Sequence, residues 1–408
     1  MRSFFIIWLG QAFSRLGSKI VQFALIWYLT ETTGSATILA TASMVGLLPQ
    51  IILGPLAGTL VDRWSRRKVL IFADGMIALA TIILAFMFAL GPNHVNSCTM
   101  SKKTGVEGLL SSGLPRLGLV EIWHIYILMF IRALGGAFHT PAMTASTTLL
   151  VPEKHLARIQ GLNGTLGGVV GILSPLLGAL LLNMMPMQGI MAIDVGTALF
   201  AIVPLFFIPI PQPKPAIEKD VSSILADFMD GIRYLWSMPG LWLITLSHGI
   251  IYLLMMPAYS LMPIFVTDHL NGSAPQLAAL QSSIAMGIVA GGVLLSLWGG
   301  FRRQVITVLL GTLLSGLSWV VMGITPENCF YMAMGALFLG TTMNSVMVGS
   351  VGALWQTIIP PKLQGRLFSI GITVISGMSS IGLAIAGPTV DQIGVRFWFL
   401  VGGIVNEL

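Results

Sequence analysis

Gly58-Thr-Leu-Val-Asp62-Arg63-Trp-Ser-Arg66-Arg67-Lys68 lies between two long apolar runs and packs four cations into six residues. Such a cluster cannot enter hydrocarbon cheaply, so the stretch has to be a loop in water. The runs on either side must then cross the bilayer, and a loop rich in Lys and Arg marks the cytoplasmic side. In the plainest reading the loop only sets topology and Asp62 is incidental. Whether Asp62 does more depends on the rest of the chain.

Only 9% of the 408 residues are charged and 55% are hydrophobic, against roughly a quarter charged in soluble proteins. This is the composition of an integral membrane protein. The net charge of +6 does not point to nucleic acid, because the cations fall between hydrophobic runs instead of along one face. The two cysteines, Cys98 and Cys329, exclude a disulfide framework or a Cys-type metal site. Both are expected near the outer surface, where a bridge between them stays open. The start, Met1-Arg-Ser-Phe-Phe-Ile-Ile-Trp8, imitates a signal peptide, but its apolar character continues to Leu29 with no small-residue cleavage site. It reads as the first membrane helix.

About 20 apolar residues span a bilayer. That length predicts helices 1–6 near 4–29, 37–61, 69–91, 121–148, 158–182 and 188–208. Helices 7–12 follow near 240–267, 276–299, 304–325, 329–357, 366–390 and 395–408. Between the sets, Pro209-Ile-Pro-Gln-Pro-Lys-Pro215 cannot continue a helix. Val221–Trp236 then places Ile224, Leu225, Phe228, Ile232 and Leu235 on one face, as an amphipathic helix on the membrane surface would. The expected organisation is an N-terminal six-helix bundle over 1–208, a cytoplasmic linker over 209–238 and a C-terminal bundle over 239–408. Of 21 Lys and Arg, 14 fall in segments assigned inside, 4 outside and 3 within helices, which puts both termini in the cytoplasm. The last stretch, Val395–Leu408, spans roughly 21 Å at 1.5 Å per residue, so helix 12 is either truncated or not a full span.

The halves repeat. Thr33-Gly-Ser-Ala36 and Asn271-Gly-Ser-Ala274 are offset by 238, and Arg66-Arg67 and Arg302-Arg303 by 236. Val151-Pro-Glu153 and Ile359-Pro-Pro361 are offset by only 208, so the first half holds an insertion, assigned to an outer loop over 93–120. Glycines recur in helices 2, 5, 8 and 11 as Gly54/Gly58, Gly164/Gly168, Gly287/Gly291 and Gly377/Gly382. Small residues let helices approach closely in lipid, and these suit helices at equivalent places in the two halves to slide on one another.

The pattern Gly-x-x-x-Asp-Arg-x-x-Arg-Arg resembles the signature loop between helices 2 and 3 of the major facilitator superfamily, with Ser65 where that family usually has Gly. Gln11–Ser14, Phe23–Ala36, Phe130–Ala142, Leu149–Glu153, Gly365–Ser369 and Asp391–Gly394 are similar to the macrolide-efflux proteins of the same superfamily. The resemblance implies an all-α membrane fold of twelve helices, two six-helix bundles with inverted repeats around a midplane cavity lined by helices 1, 4, 7 and 10. It also implies proton-driven export of a small-molecule drug from a bacterial inner membrane, by a monomer in the lipid bilayer without cofactor, metal or nucleic acid. In such proteins the signature loop gates, which assigns that role to Gly58, Asp62, Arg63, Arg66 and Arg67, with Arg366 at the start of helix 11. Asp62 is expected to accept hydrogen bonds there and Arg66 to pair with an acid. Gly171-Ile-Leu-Ser-Pro175-Leu-Leu-Gly178 resembles a degraded antiporter motif, in which Pro175 and Gly178 let helix 5 bend.

Ionisable residues inside a membrane are functional candidates by default. Arg132 and Asp194, on helices 4 and 6, form a candidate proton-coupling pair, with Asp74 on helix 3 next in line. The pair can equally be a static brace. Arg15 and Lys19 either line the cavity or reach for the interface. Phe138, His139, Tyr252, Met255, Met256 and Asn344 complete the expected substrate cavity, with a buried hydrogen-bonding role as the other reading of His139. No Gly-x-x-x-x-Gly-Lys-Ser/Thr loop supports an ATP-driven pump, and no paired carboxylates or Ser/His/Asp set supports an enzyme. The excess of intramembrane cations over acids keeps a rival open, export of an anionic metabolite such as a siderophore.

Overall fold

The computed structural model describes residues 2–90, 121–210, 229, 233, 235–359 and 361–407. For 54–56, 58–59, 62–63, 153, 157, 356–357, 361–366, 368–369 and 407 it describes the backbone only. The expected insertion at 93–120, Cys98 and most of the amphipathic linker lie outside the described residues.

The first half runs α1 (Arg2–Thr33), α2 (Ala36–Arg63), α3 (Arg66–Leu90), α4 (Ile122–Leu150), α5 (Glu153–Met184) and α6 (Met187–Phe207). The second runs α7 (Pro239–Ser260), α8 (Ala274–Trp298), α9 (Gln304–Ile324), α10 (Phe330–Ile358), α11 (Pro361–Ile393) and α12 (Val395–Glu407). Among the described residues ten helices are long and apolar enough to cross a membrane. The other two are α1, which is long but interrupted by Gln11, Arg15 and Lys19, and α12, whose 13 residues reach about 20 Å.

The repeated Gly-Ser-Ala stretches are helix starts. Gly34 (φ 60°) and Asn271 (φ 48°) adopt the left-handed turn that reverses the chain. Ser35 then accepts from the Ile38 N–H to cap α2, and Ser273 forms a capping box with Gln276 to open α8. The expectation of one continuous helix over 240–267 needs correction. After Ser260 the chain pauses at Leu261, resumes over Met262–Ile264 and widens into a π-turn over Phe265–His269. Pro263 has no N–H for the carbonyl four residues back, and its ring pushes that carbonyl aside.

In the first half α1 lies on α5 and α6, α3 sits between α4 and α6, and α2 packs on α4. In the second, α10 lies between α8 and α9, α12 between α7 and α9, and α11 on α7. The halves meet where α2 crosses α11 and α5 crosses α8. Of the expected glycines, Gly168 packs across the halves, Gly54 and Gly58 lie outside the described side chains, and the others act differently. Gly287 and Gly291 admit α10 backbone and Gly382 admits α7, all within the second half, while Gly164 and Gly377 face nothing within 4 Å. The crossing between halves uses Gly168 against Val289, Gly171 against Ala285, and Gly387 against Thr37 and Ala40. Since lipid is as apolar as these helices, such close contact is what holds them together.

The two ends of the molecule differ. We call the end bearing the turn at 64–65 the basic end. At the far end one continuous apolar core joins the halves, with Leu25, Leu29 and Leu39 packed in the same cluster as Phe265, Leu277 and Phe399. At the basic end the described cores are separate. Ile7, Val61, Leu70 and Leu205 form one, Phe4, Val151 and Ile159 another, and Leu235, Leu241, Trp355 and Leu367 a third in the second half. Among the described residues, then, the shared apolar core lies at the far end and none joins the halves at the basic end.

Candidate transport site

Two buried polar layers cross the first half, and a seven-residue step relates them on three helices. The layer nearer the far end holds Ser18 of α1, Thr81 of α3, Arg132 of α4 and Asp194 of α6. The Arg132 guanidinium sits 2.7 Å from Asp194 Oδ2, with the side chains 11% and 1% exposed. Ser18 Oγ donates to Asp194 Oδ1 at 2.9 Å and Thr81 Oγ to Oδ2 at 3.1 Å, while Arg132 also contacts Thr81. Gly17 makes room for this layer, since a Cβ there would meet Thr197 Oγ1 at 2.2 Å and Asp194 Cα at 3.2 Å.

Seven residues along each helix, about 10 Å closer to the basic end, stand Gln11 of α1, Asp74 of α3 and His139 of α4. Gln11 Nε2 donates to Asp74 Oδ2 at 2.7 Å. His139 Nε2 lies 2.7 Å from Gln11 Oε1 and 3.3 Å from Asp74 Oδ1. All three side chains are buried. Gly135 separates the layers on α4: a Cβ there would press Ile77 Cγ1 at 2.7 Å and the Ala73 carbonyl at 3.0 Å. The residue must be this small for α3 to lie against α4.

Beside the second layer is a cavity of about 210 Å³ between α1, α4 and α5, toward the basic end. Trp8, Gln11, Arg15, Thr144, Gln160 and Asn163 are among its walls. Trp8 Nε1 donates to Asn163 Oδ1 at 2.7 Å, tying α1 to α5. Gln11 thus faces the cavity and the buried Asp74 at once. Gly161, Gly164 and Gly167 of α5 meet nothing within 4 Å, so the α5 face next to the cavity is open.

A fourth feature escaped sequence reasoning. Asp391, near the end of α11, closes the far end on the start of α2. Its carboxylate accepts from the Ala36 N–H at 2.7 Å, the Thr37 N–H at 3.1 Å, Thr37 Oγ1 at 2.6 Å and Ser35 Oγ at 3.2 Å. An anion at a helix N-terminus is favourable because the unsatisfied amides point at it. The signal available was an acid at the end of one predicted span and a Gly-Ser-Ala start on another, without any indication that they meet.

The other expected residues divide. Gly58, Asp62, Arg63 and Arg366 have side chains outside the described residues, as does any contact of Asp62 with the start of α11. Arg66 is buried and donates to the Ala145 carbonyl at 3.5 Å. Arg67 Nε donates to the Leu205 carbonyl at 2.5 Å and its Nη2 to Phe206, placing a cation at the carbonyl end of α6. Pro175 lies within α5, and Gly178 faces the Phe23 ring of α1.

Arg15 lines the cavity, whereas Lys19 is exposed and donates to Gln22 at 3.1 Å. His139 was expected in the cavity wall but is turned into the bundle, because Asp74 and Gln11 offer it partners there. Met255 is likewise buried inside the second half, against α12 at Gly402, where its flexible side chain fills a gap. Phe138 stacks on Trp64 at 6.2 Å instead of facing the cavity, and Tyr252, Met256 and Asn344 are half-buried on α7 and α10.

Two sets of membrane helices, joined by one apolar core at the far end, with a polar cavity in the first set toward the basic end, have the form of a membrane transporter. The chain belongs to the Major Facilitator Superfamily, whose family profile matches residues 7–383. It is 32% identical over 400 residues to Macrolide efflux protein A of Streptococcus pyogenes, covering 98% of this chain and 92% of that protein. Identity to Macrolide efflux protein A of Enterococcus faecalis is 29% over 350 residues, covering 86% of this chain and 100% of that one. The crystal structure of a bacterial homologue of the iron transporter ferroportin in an inward-facing state matches with a TM-score of 0.70. It covers 100% of this chain and 97% of that chain at 14% identity, a likeness of fold alone.

Proposed function

We propose that this protein exports macrolide-type drugs by proton antiport with alternating access, in a bacterial cell membrane with its N-terminus in the cytoplasm. The observation that carries the reading is the asymmetry of the two ends. The continuous core and the Asp391 clasp hold the far end shut, while the cavity opens toward the basic end. With the basic end in the cytoplasm, a drug enters from inside, and export follows when the clasp parts and the basic end closes. In this reading Gly58, Asp62, Arg63, Arg66, Arg67 and Arg366 hold that opposite state. The relationship to Macrolide efflux protein A supports the drug class.

Accumulation of a labelled macrolide in cells with and without the protein tests this. The protein should lower accumulation, and a protonophore should restore it. Equal accumulation in both cell types would sink the export reading. One observation favours the second reading, an anionic substrate: the Arg15 guanidinium stands exposed in the cavity wall. Competition between the macrolide and a catecholate siderophore for efflux separates the two.

A further inference from the structure

We propose that the transported proton is held by Asp74 and His139, bridged by Gln11, and that Arg132–Asp194 is a fixed brace. This rests on the proton-antiport reading and names the group that carries the proton. Both carboxylates are buried, but their partners differ in kind. Asp194 faces a guanidinium, which cannot give up its proton in a protein, together with two hydroxyl donors. Protonating Asp194 would strand Arg132 as an unpaired charge among buried groups. Asp74 faces an amide and an imidazole, both neutral partners that can reorient. The imidazole can carry its hydrogen on either nitrogen and the amide can present either face. Asp74 can therefore stay hydrogen-bonded both as a carboxylate and as a carboxylic acid.

Access points to the same layer. Gln11 lines the cavity and touches both Asp74 and His139. None of the residues lining that cavity belongs to the Arg132–Asp194 layer. Among the described residues the charged group acting on both Asp74 and His139 is Arg15 of α1, itself in the cavity wall. Arg132 of α4 and Asp194 of α6 stand two turns away toward the far end, and Arg66 lies two turns away at the start of α3.

The step balances simply. With the basic end open, the Gln11 side chain turns aside, the O–H bond of the Asp74 carboxyl breaks and its proton passes directly to water in the cavity. Asp74 is left ionised, with Arg15 as its countercharge. When the far end opens, a proton from that side re-forms the O–H bond. The net movement is one proton inward for each exported ligand.

The test uses the full-length protein in proteoliposomes loaded with a labelled macrolide, with an imposed pH gradient. Asp74→Asn should lower proton-driven accumulation about tenfold or more while keeping macrolide exchange without a gradient within about twofold of wild type. Retention of wild-type uphill transport by Asp74→Asn overturns the assignment. So does loss of uphill transport in Asp194→Asn with exchange intact. Should Asp74→Asn not fold, His139→Gln keeps a donor toward Gln11 and should move the pH midpoint of uphill transport, whereas an unmoved midpoint overturns the proposal. If wild-type transport ignores the pH gradient, the antiport reading fails first, and this assignment falls with it by a distinguishable result.

Discussion

The two polar layers of the first half use the same three helices at the same seven-residue step, yet they are built for opposite purposes. In the layer of Arg132 and Asp194 every strong partner is a fixed donor, a guanidinium or a hydroxyl. In the layer of Asp74 and His139 the partners are an amide that can reorient and an imidazole that can change tautomer. One layer is far from the described cavity and the other adjoins it through Gln11. Burial of an acid in a membrane helix is thus not itself the mark of a coupling site. What distinguishes the sites is whether each partner can accept a change of charge.

The comparison breaks most visibly at the ion pair. Removing one partner of a buried pair leaves the other uncompensated, at about 3–5 kcal/mol. Asp194→Asn and Arg132→Met should each lower thermal stability in detergent by a large amount, and the double variant should lose less than the two singles together. If the singles unfold at the wild-type temperature, the layer is not a brace.

Next in size is the spacer between the layers. Gly135→Leu would force a side chain against Ile77 and the Ala73 carbonyl, costing about 1–3 kcal/mol as overpacking. It should also impair transport, because Asp74 and His139 lie on the two helices pushed apart. Spectroscopic distances between α3 and α4 identical to wild type would show that the bundle absorbs the change elsewhere.

A smaller effect is expected at the far end. Asp391 is solvent-exposed, so salt and water screen its attraction to the start of α2, and the net contribution is about 1 kcal/mol. Asp391→Asn should raise the fraction of molecules open at the far end about fivefold. Reactivity of a cysteine placed at Thr37 with an impermeant reagent would report this, and unchanged reactivity would mean that the apolar core alone holds the end shut.

The smallest effect should fall on the exposed cation. With a macrolide substrate, Arg15→Gln should change the apparent KM by no more than about threefold, since the drug presents no anion for it to pair with and its charge on Asp74 bears on uphill transport instead of drug binding. A far larger loss would favour the anionic substrate over the macrolide.

Much of the site was written in the chain, though in pieces. Arg132, Asp194 and Asp74 stand out as ionisable residues in apolar stretches, and their depths suggest that the first two meet, as they do at 2.7 Å. His139 was visible too, but a lone histidine on an apolar helix does not reveal its direction. Gln11, the residue that links Asp74 to the cavity, lies in a stretch similar to the macrolide-efflux proteins, but its role was not legible because a single neutral amide carries no charge cost. The seven-residue steps 11/18, 74/81 and 139/132 were present in the sequence, yet they gain meaning only when α1, α3 and α4 are known to be neighbours at matching depth.

By itself the amino-acid sequence determined the membrane environment, the number and order of the apolar stretches, the repeat between halves and the membership of a transporter superfamily. These follow from local properties: the cost of charge in hydrocarbon, the length needed to span it, and the residues that start and stop helices. Tertiary structure alone decided which end is closed, which glycines join helices within a half and which join the halves, and that Asp391 clasps α2 across 354 residues. It also decided that His139 faces Asp74 instead of the cavity. Such facts depend on helix rotation and neighbours. In lipid, where almost every surface is apolar, these are selected by close packing and hydrogen bonds between distant residues, which no hydropathy pattern records.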